Sequence, residues 1–365
     1  MHDLTIIGGG PAGTSAAIIA ARAGAGVLLL ERGRFPRHKV CGEFVSAESL
    51  GLLRTLLGSR HAALLTNAVS IPRARVFLDG RTIETPVDPP AASIARLDLD
   101  AALWELAGQS GVETRQQTTV QEISGAGPFR VATAQGNYET RAVINASGRW
   151  SNLNPPPANI GAPIEKWLGV KAHFAESSPP ASVDLYFFEG GYCGVQPVDM
   201  SGSGHLQGRV NACAMVRPDV ASTLPEVFAL HPLLQARSRN WQPLSDPVST
   251  SPLIFRPPQS ERDNILLAGD AAGFVDPFVG DGISLALRSG ALAAECLASF
   301  IGGEVSLADA RSLYRQTYER QLAPVFRASS KLRRMLLLPR NVRVPMLFIL
   351  ENVPAAARYL VSKTR

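Results

Sequence analysis

Ile6-Ile7-Gly8-Gly9-Gly10-Pro11-Ala12-Gly13 stands between a short apolar run, Leu4 to Ile7, and an Ala-rich stretch, Thr14 to Ala23, that Gly24 and Gly26 bring to an end. The run predicts a strand and the stretch a helix, with Pro11 suited to the first helical position. A second strand, Val27 to Leu30, ends in Glu31, which lies 18 residues beyond Gly13. In a strand–turn–helix–strand unit the glycines serve separate ends, namely a tight turn, close approach of the backbone to a pyrophosphate, and helix-to-strand packing. The free N–H groups at the start of the helix favour a phosphate, and an acid near the position of Glu31 accepts hydrogen bonds from a ribose. A GxGxxG alone is a weak signal. With strand, helix, second strand and acid in order, it predicts a dinucleotide site at the start of the chain.

At 365 residues the chain exceeds one compact domain, so two interleaved lobes are expected. A composition of 45% hydrophobic and 18% charged residues is that of an ordinary soluble enzyme. Residues 4–30 do not read as a signal peptide, because three consecutive glycines and Arg22 interrupt them and no basic leader precedes them. No charge-free run of 18 apolar residues occurs, so no spanning helix is expected. Cys41, Cys193, Cys213 and Cys296 are far apart and lack CxxC or Cys/His ligand spacing. No metal site is therefore expected, and a reducing cytoplasm is.

The net charge of +5 is uneven: residues 326–365 carry nine Lys/Arg against Glu351 alone, a net +8, and the remainder sums to −3. This tail includes Leu336-Leu337-Leu338 and Met346-Leu347-Phe348-Ile349-Leu350. Peripheral contact with an anionic membrane is one reading, each basic group adding about 1 kcal/mol there. A helical segment packed on the body with a solvated basic face is the reading placed first. Nucleic acid is not an expected partner, since no aromatic-interleaved basic platform accompanies the charge. The oligomeric state is left open.

A third segment runs Asn264-Ile265-Leu266-Leu267-Ala268-Gly269-Asp270-Ala271-Ala272-Gly273 and continues through Pro277 to Gly280-Asp281-Gly282-Ile283. It reads as a strand, an acid at its end, a Pro/Gly-rich turn and a helix from about Ile283 to Phe300. Ligands of open α/β sheets sit beyond the carboxyl ends of strands, which places Asp270 beside a polyol chain. A helix starting near Gly282 would stabilise negative charge in front of it by about 1–2 kcal/mol.

Together with Val143-Ile144-Asn145-Ala146-Ser147-Gly148 and Arg96-Leu97-Asp98-Leu99-Asp100-Ala101-Ala102-Leu103, these segments resemble the FAD-dependent group A flavin monooxygenase and geranylgeranyl reductase superfamily, over about residues 1–305. The resemblance implies an α/β fold of the glutathione-reductase type. It consists of a Rossmann-like FAD-binding lobe with three-layer ββα character, an antiparallel-sheet substrate lobe and a C-terminal helical segment. The boundaries expected are 1–72, 92–152 and 260–305 for the FAD-binding parts, 73–91 and 153–259 for the substrate lobe, and 306–365 for the basic helical segment. The resemblance also implies roles. Gly8, Gly10, Pro11, Ala12 and Gly13 would hold the pyrophosphate, Glu31 the ribose and Arg32 the adenine side. Arg96 opens a helix before a strand around Thr118 to Val120 that would touch adenine. Asp270 would hold the ribityl chain, Gly282 and Ile283 the pyrimidine edge, and Pro277, Gly280 and Asp281 complete the cofactor set. Ser147 departs from the acid or Thr often found beside the glycine equivalent to Gly148.

Arg34-Phe35-Pro36-Arg37-His38-Lys39-Val40-Cys41-Gly42-Glu43 resembles the Lys-x-Cys-Gly-Gly segment of the reductase branch, which places Cys41 and Gly42 close to the flavin ring, with Glu43 replacing the second Gly. Arg37 and Lys39 could lower the Cys41 pKa; a buried, inert cysteine is the alternative. Glu43 is a proton donor or an N-cap partner on this reading. His173, in the predicted strand Trp167 to Phe174, is a general acid/base candidate or a satisfied structural histidine. Further strands are predicted at Val183 to Phe188, Gly191 to Val195 and Val210 to Val216. Tyr192, Cys193 and Gln196 are the substrate-pocket candidates. Gly191-Tyr192-Cys193-Gly194-Val195-Gln196-Pro197 keeps Gly, Tyr and Pro of a Trp-x-x-Pro-like segment but not its Trp residues, which counts against a halogenase.

The expected enzyme is an FAD-dependent oxidoreductase reduced by NAD(P)H or an external reductant and oxidised on a small hydrophobic substrate. Oxygen insertion into an aromatic or polyketide-like compound is placed first. A prenyl or geranylgeranyl-type double-bond reductase is the alternative, and a non-catalytic flavin sensor or electron-transfer protein is a third reading.

Overall fold

The computed structural model describes residues 1–149, 151–153, 166–198, 208–336, 338, 341–345 and 348. The chain opens with β1 (His2–Ile7), α1 (Pro11–Arg22), β2 (Val27–Leu30), β3 (Phe44–Val45), α2 (Ala47–Leu57) and α3 (Ala62–Thr66). It continues through β4 (Val69–Leu78), β5 (Arg81–Ser93), α4 (Arg96–Gln109), β6 (Glu113–Arg115), β7 (Val120–Gly125), β8 (Phe129–Thr133) and β9 (Gly136–Asn145). Next come β10 (Trp167–Ala175), β11 (Val183–Phe188), β12 (Gly191–Pro197), β13 (Arg209–Val216), α5 (Leu224–Ala229), α6 (Pro232–Ser238), β14 (Gln242–Pro243) and β15 (Val248–Leu253). The last elements are β16 (Glu261–Arg262), β17 (Ile265–Leu267), α7 (Gly282–Ile301), α8 (Leu307–Gln321) and α9 (Ala323–Leu336).

The first sheet has the order β16-β17-β9-β1-β2-β6, and from β17 to β6 its strands run parallel. Such strands are buried on both faces, which is why Val27–Leu30 is an unbroken apolar run, every residue buried. One face packs Leu4, Ile6, Leu29 and Ile144 against α1, α4 and α7. The other packs Ile7, Leu28, Leu30 and Val143 against Val120, Phe129 and Val131 of the β7–β8 meander, giving the expected ββα layering. The second sheet, β14-β10-β13-β12-β11-β4-β5-β3 with β15 on β10, is antiparallel except where β11 runs parallel to β4. The excursion expected at 73–91 spans Val69 to Ser93, and β3 joins the same sheet from within the first segment.

Two helices are brought together by small residues. A Cβ on Gly290 of α7 would stand 2.0 Å from the Ala12 carbonyl oxygen of α1, so only glycine permits this crossing. Ser15 seals it by donating to the Leu287 carbonyl at 2.9 Å. The crossing sets the N-termini of α1 and α7 on one cleft. By length and composition α7 could cross a membrane, with a mean hydropathy of 1.3, but it carries Arg288 and Glu295 and 67% of that window is buried in the protein. It is the central core helix of this lobe. Helices α8 and α9 pack on it through Tyr314, Tyr318, Val325 and Phe326. Arg340, Arg358, Lys363, Arg365 and most of the run 346–350 lie outside the described residues.

Candidate active site

A cleft of about 430 Å³ lies between the two sheets at the carboxyl ends of β1, β2 and β17. Gly8, Gly10, Pro11 and Ala12 line it at the first helix. Gly10 occupies the N-cap of α1 and supplies no side chain to the free N–H groups, and a Cβ built there meets nothing within 4 Å. Gly8 has φ +105°, and its Cβ would meet the Ala146 carbonyl oxygen at 2.3 Å. Gly13 does not face the cleft. Its Cβ would stand 1.8 Å from the Gly8 carbonyl oxygen, so its part is helix-to-strand packing rather than direct contact with a phosphate.

The opposite wall begins at α7. Pro277, Gly280, Gly282 and Ile283 line the cleft, no side chain caps the helix, and a Cβ on Gly282 would again meet open space. Asp281 corrects the expectation for this turn. It is buried away from the cleft, where it accepts a hydrogen bond from the Ser46 hydroxyl at 2.6 Å. Asp270 lines the cleft and pairs with Arg149 at 3.1 Å. Arg149, whose guanidinium lies 4.3 Å from the Phe274 ring centroid, was not singled out from the sequence. Its only signal was its place directly after the strand-end turn Ser147-Gly148.

At the far end Glu31, Arg32, Thr118, Thr119 and Val120 line the cleft. The Glu31 carboxylate already accepts from the backbone N–H of Gly9 (2.8 Å) and Gly33 (2.7 Å) and from Arg37 (2.7 Å). Burial opposes its charge, but Arg37 and these two N–H groups hold its pKa below the usual value. The strand expected around Thr118 to Val120 is displaced. Helix α4 leads into β6, which completes the parallel sheet, and Thr118 and Thr119 are the approach to β7.

Between the two helix ends lies a cluster of charge. Glu43 has φ +63° and no exposure. Its Oε1 accepts from Lys171 Nζ at 2.7 Å and from the Arg96 backbone N–H at 2.9 Å, and its Oε2 lies 2.7 Å from His173 Nε2. Burial works against its ionisation, but Lys171 and His173 outweigh it and bring the pKa down to about 2. His173 is therefore a buried partner of Glu43, outside the cleft wall, and its Nδ1 has no partner among the described residues. The His38 ring, which does line the cleft, stands edge-on to it at 5.5 Å. Cys41 and Gly42 line the cleft beside this cluster. The Cys41 sulfur accepts from the Glu43 N–H at 3.3 Å, and Arg96, which grips Asp100 through two 2.7 Å bonds, lines the same part of the cleft. Lys39 faces the cleft, and burial, Arg37 and Arg96 pull its pKa down to about 8.

Tyr192, Cys213, Met215 and Leu253 form the wall from the second sheet, and Phe274, from the loop after β17, adjoins it. Alternation along β12 sorts the three expected pocket residues. Tyr192 faces the cleft, with a buried hydroxyl that has no partner among the described residues. Cys193 points to the opposite face, into the core with Val195 and Val210, where burial lifts its thiol to about 12. Gln196 shares the face of Tyr192 but lies beyond the cleft, donating to Ser93 at 2.6 Å.

Two uncapped helix N-termini, glycines that leave ligand space, and an acid at a strand end define a flavin dinucleotide enzyme. The residues fit FAD: the space at Gly10, Gly42 and Gly282 is what a Cβ would fill, and each helix end offers N–H groups to negative charge. A family model described as FAD dependent oxidoreductase matches residues 3–37. The menaquinone reductase of Mycolicibacterium smegmatis is 28% identical over 94% of this chain and 86% of its own length. Digeranylgeranylglycerophospholipid reductase 2 of Methanopyrus kandleri is 27% identical over 90% and 85%. Among solved structures, a geranylgeranyl bacteriochlorophyll reductase-like protein from Thermoplasma acidophilum superposes with a TM-score of 0.75 at 19% identity, covering 100% of this chain and 95% of that one. A flavin-dependent brominase superposes at 0.76 with 20% identity, covering 100% and 93%. The chain is thus similar to FAD-dependent oxidoreductases, with menaquinone and geranylgeranyl-lipid reductases among its relatives. Brominase-like and halogenase neighbours share its fold, so the missing Trp residues give no ground for setting that chemistry apart.

Proposed function

We propose that this chain is a flavin-dependent reductase that saturates a carbon–carbon double bond in an apolar, prenyl-type substrate. The order of the two readings made from sequence is reversed here. The observation that carries the proposal is Cys41, a thiol in the cleft wall, with Arg96 lining the same cleft. The names of the relatives, reductases of menaquinone and of geranylgeranyl-bearing lipids, support it.

FAD held at Gly10, Gly42 and Gly282 would supply the hydride chemistry for one carbon of the double bond. The second carbon needs a proton, and this chain must deliver it. Cys41 is the donor on this reading, and Arg96 stabilises the thiolate that remains. Glu43, clamped by Lys171 and His173, fixes the turn that carries Cys41 and Gly42. Met215, Leu253 and Phe274 give the substrate an apolar wall and exclude water from the transfer. NAD(P)H or a separate reductant supplies the electrons.

The test is a single turnover of the reduced holoenzyme without oxygen, using geranylgeranyl diphosphate and a short-chain menaquinone as probes. Product that gains two hydrogens as the flavin reoxidises is expected. Cys41→Ser should slow that step about 100-fold or more while flavin reduction by the donor is unchanged. Product that instead gains one oxygen atom, and only in air, overturns the proposal in favour of a monooxygenase.

A further inference from the structure

Beyond α9 the chain is tied back to the second sheet through Arg343. This residue grips Asp79, at the turn between β4 and β5, through bonds of 2.7 and 2.8 Å, and also donates to the Leu336 carbonyl at 2.7 Å. With this anchor made, Leu338, Val342 and Phe348 are 37%, 50% and 53% exposed. Arg81 lies 5.5 Å over the Phe348 ring. Arg327, Lys331 and Arg334 are exposed or half-exposed along α9, within the 40-residue stretch whose net charge is +8.

The same region reaches the cleft through apolar side chains. Leu336 and Phe187 both pack against Leu78 and Ile83. Phe187 stands 5.4 Å from the ring of Tyr192, which lines the cleft. On the other side Arg333 lies 4.2 Å over Phe255, which stacks on Phe274 of the cleft wall.

We propose that this face seats the protein on an anionic lipid bilayer, with Leu338, Val342 and Phe348 entering the acyl boundary and the surrounding Lys and Arg residues on the headgroups. Apolar side chains ringed by cations have the composition of an interfacial anchor, and anionic lipid supplies the opposite charge. A second copy of the chain is the poorer occupant, because a symmetric dimer through this face would press +8 against +8. The inference does not depend on the reaction. Whatever the chemistry, an apolar substrate dissolved in the bilayer would lie against the Leu336–Phe187–Tyr192 path.

The test is co-sedimentation of the full-length holoenzyme with phosphatidylglycerol/phosphatidylcholine vesicles and with pure phosphatidylcholine vesicles. Partition into the anionic vesicles about tenfold stronger, and weakened by salt, is expected. The double variant Val342→Glu/Phe348→Glu should lower it about tenfold with an unchanged flavin spectrum and thermal midpoint. Lys331→Glu/Arg334→Glu, on the solvent side of α9, gives the same reading if the first variant fails to fold. Equal partition into both vesicles, or variants that bind as the wild type does, overturns the proposal. So does a dimer in size-exclusion chromatography that the substitutions dissolve while vesicle binding is absent.

Discussion

Glu43 and Lys171, 128 positions apart in the chain, meet at 2.7 Å with 0% and 1% of their side chains exposed. Removing one member of such a pair leaves a buried charge without compensation, at about 3–5 kcal/mol. Glu43→Gln and Lys171→Met should each destabilise the protein by that order, and the double variant should recover much of the loss. Denaturant midpoints of the four proteins check it, and additive losses would sink the idea that the two act as a pair. The pH dependence follows from the depressed acid. The folded pKa of about 2 lies below the ordinary 4.5, so the contribution of Glu43 is complete above pH 4.5 and is lost as pH falls towards 2. Glu43→Gln should abolish that part of the acid sensitivity.

Gly10 and Gly13 belong to one motif but should fail in different ways. Gly13→Ala puts a methyl group 1.8 Å from the Gly8 carbonyl oxygen, and about 2–3 kcal/mol of stability should be lost even from the apoprotein. Gly10 has φ −76°, which any residue adopts, and open space before it. Gly10→Ala should leave the apoprotein melting as the wild type does and weaken FAD at least tenfold, about 1.4 kcal/mol. Calorimetry with flavin titration separates the two; equal behaviour of the variants would contradict the assignment.

Asp276 is buried with an Oδ2 that has no hydrogen-bond partner among the described residues, 3.9 Å from Arg333, and burial lifts its pKa to about 7. The folded value lies above the ordinary 3.8, so the folded state resists the charge. The contribution of Asp276 to stability is full below pH 3.8 and declines as pH rises to 7. Asp276→Asn keeps an acceptor for the Phe278 N–H and removes the charge. The variant's thermal midpoint should gain on the wild type steadily between about pH 4 and 7 and hold a constant lead above that. A lead that shrinks with pH would mean that Arg333 governs the carboxylate.

Much of the FAD lobe was legible because its signals are local. Gly8 to Gly13, the all-apolar Val27–Leu30 and the Asp270-to-Ile283 turn each declare a strand, a turn or a helix start within a short stretch. The charged cluster was illegible for the opposite reason. Glu43 reads as a loop residue until the second sheet brings Lys171 and His173 onto it, and no local pattern encodes contacts over 128 and 130 positions. Asp281 misled because its motif carries it next to the cleft while the turn sends its side chain to Ser46. Cys193 was an avoidable error. Once Tyr192 is turned towards the cleft, the two-residue period of a strand sends its neighbour the other way. Thr118 was misplaced because β6 is three residues long, too short to announce itself beside the longer β7.

The cleft's two helix starts, at Pro11 and Gly282, are joined by the crossing at Gly290. On a ribosome adding about 5–20 residues each second, the second start emerges roughly 15–55 s after the first. Until then the nascent chain presents half a cofactor cradle, with the Ala12 side of its first helix bare. Capture of the yellow coenzyme by both helix starts is therefore a late event in biosynthesis.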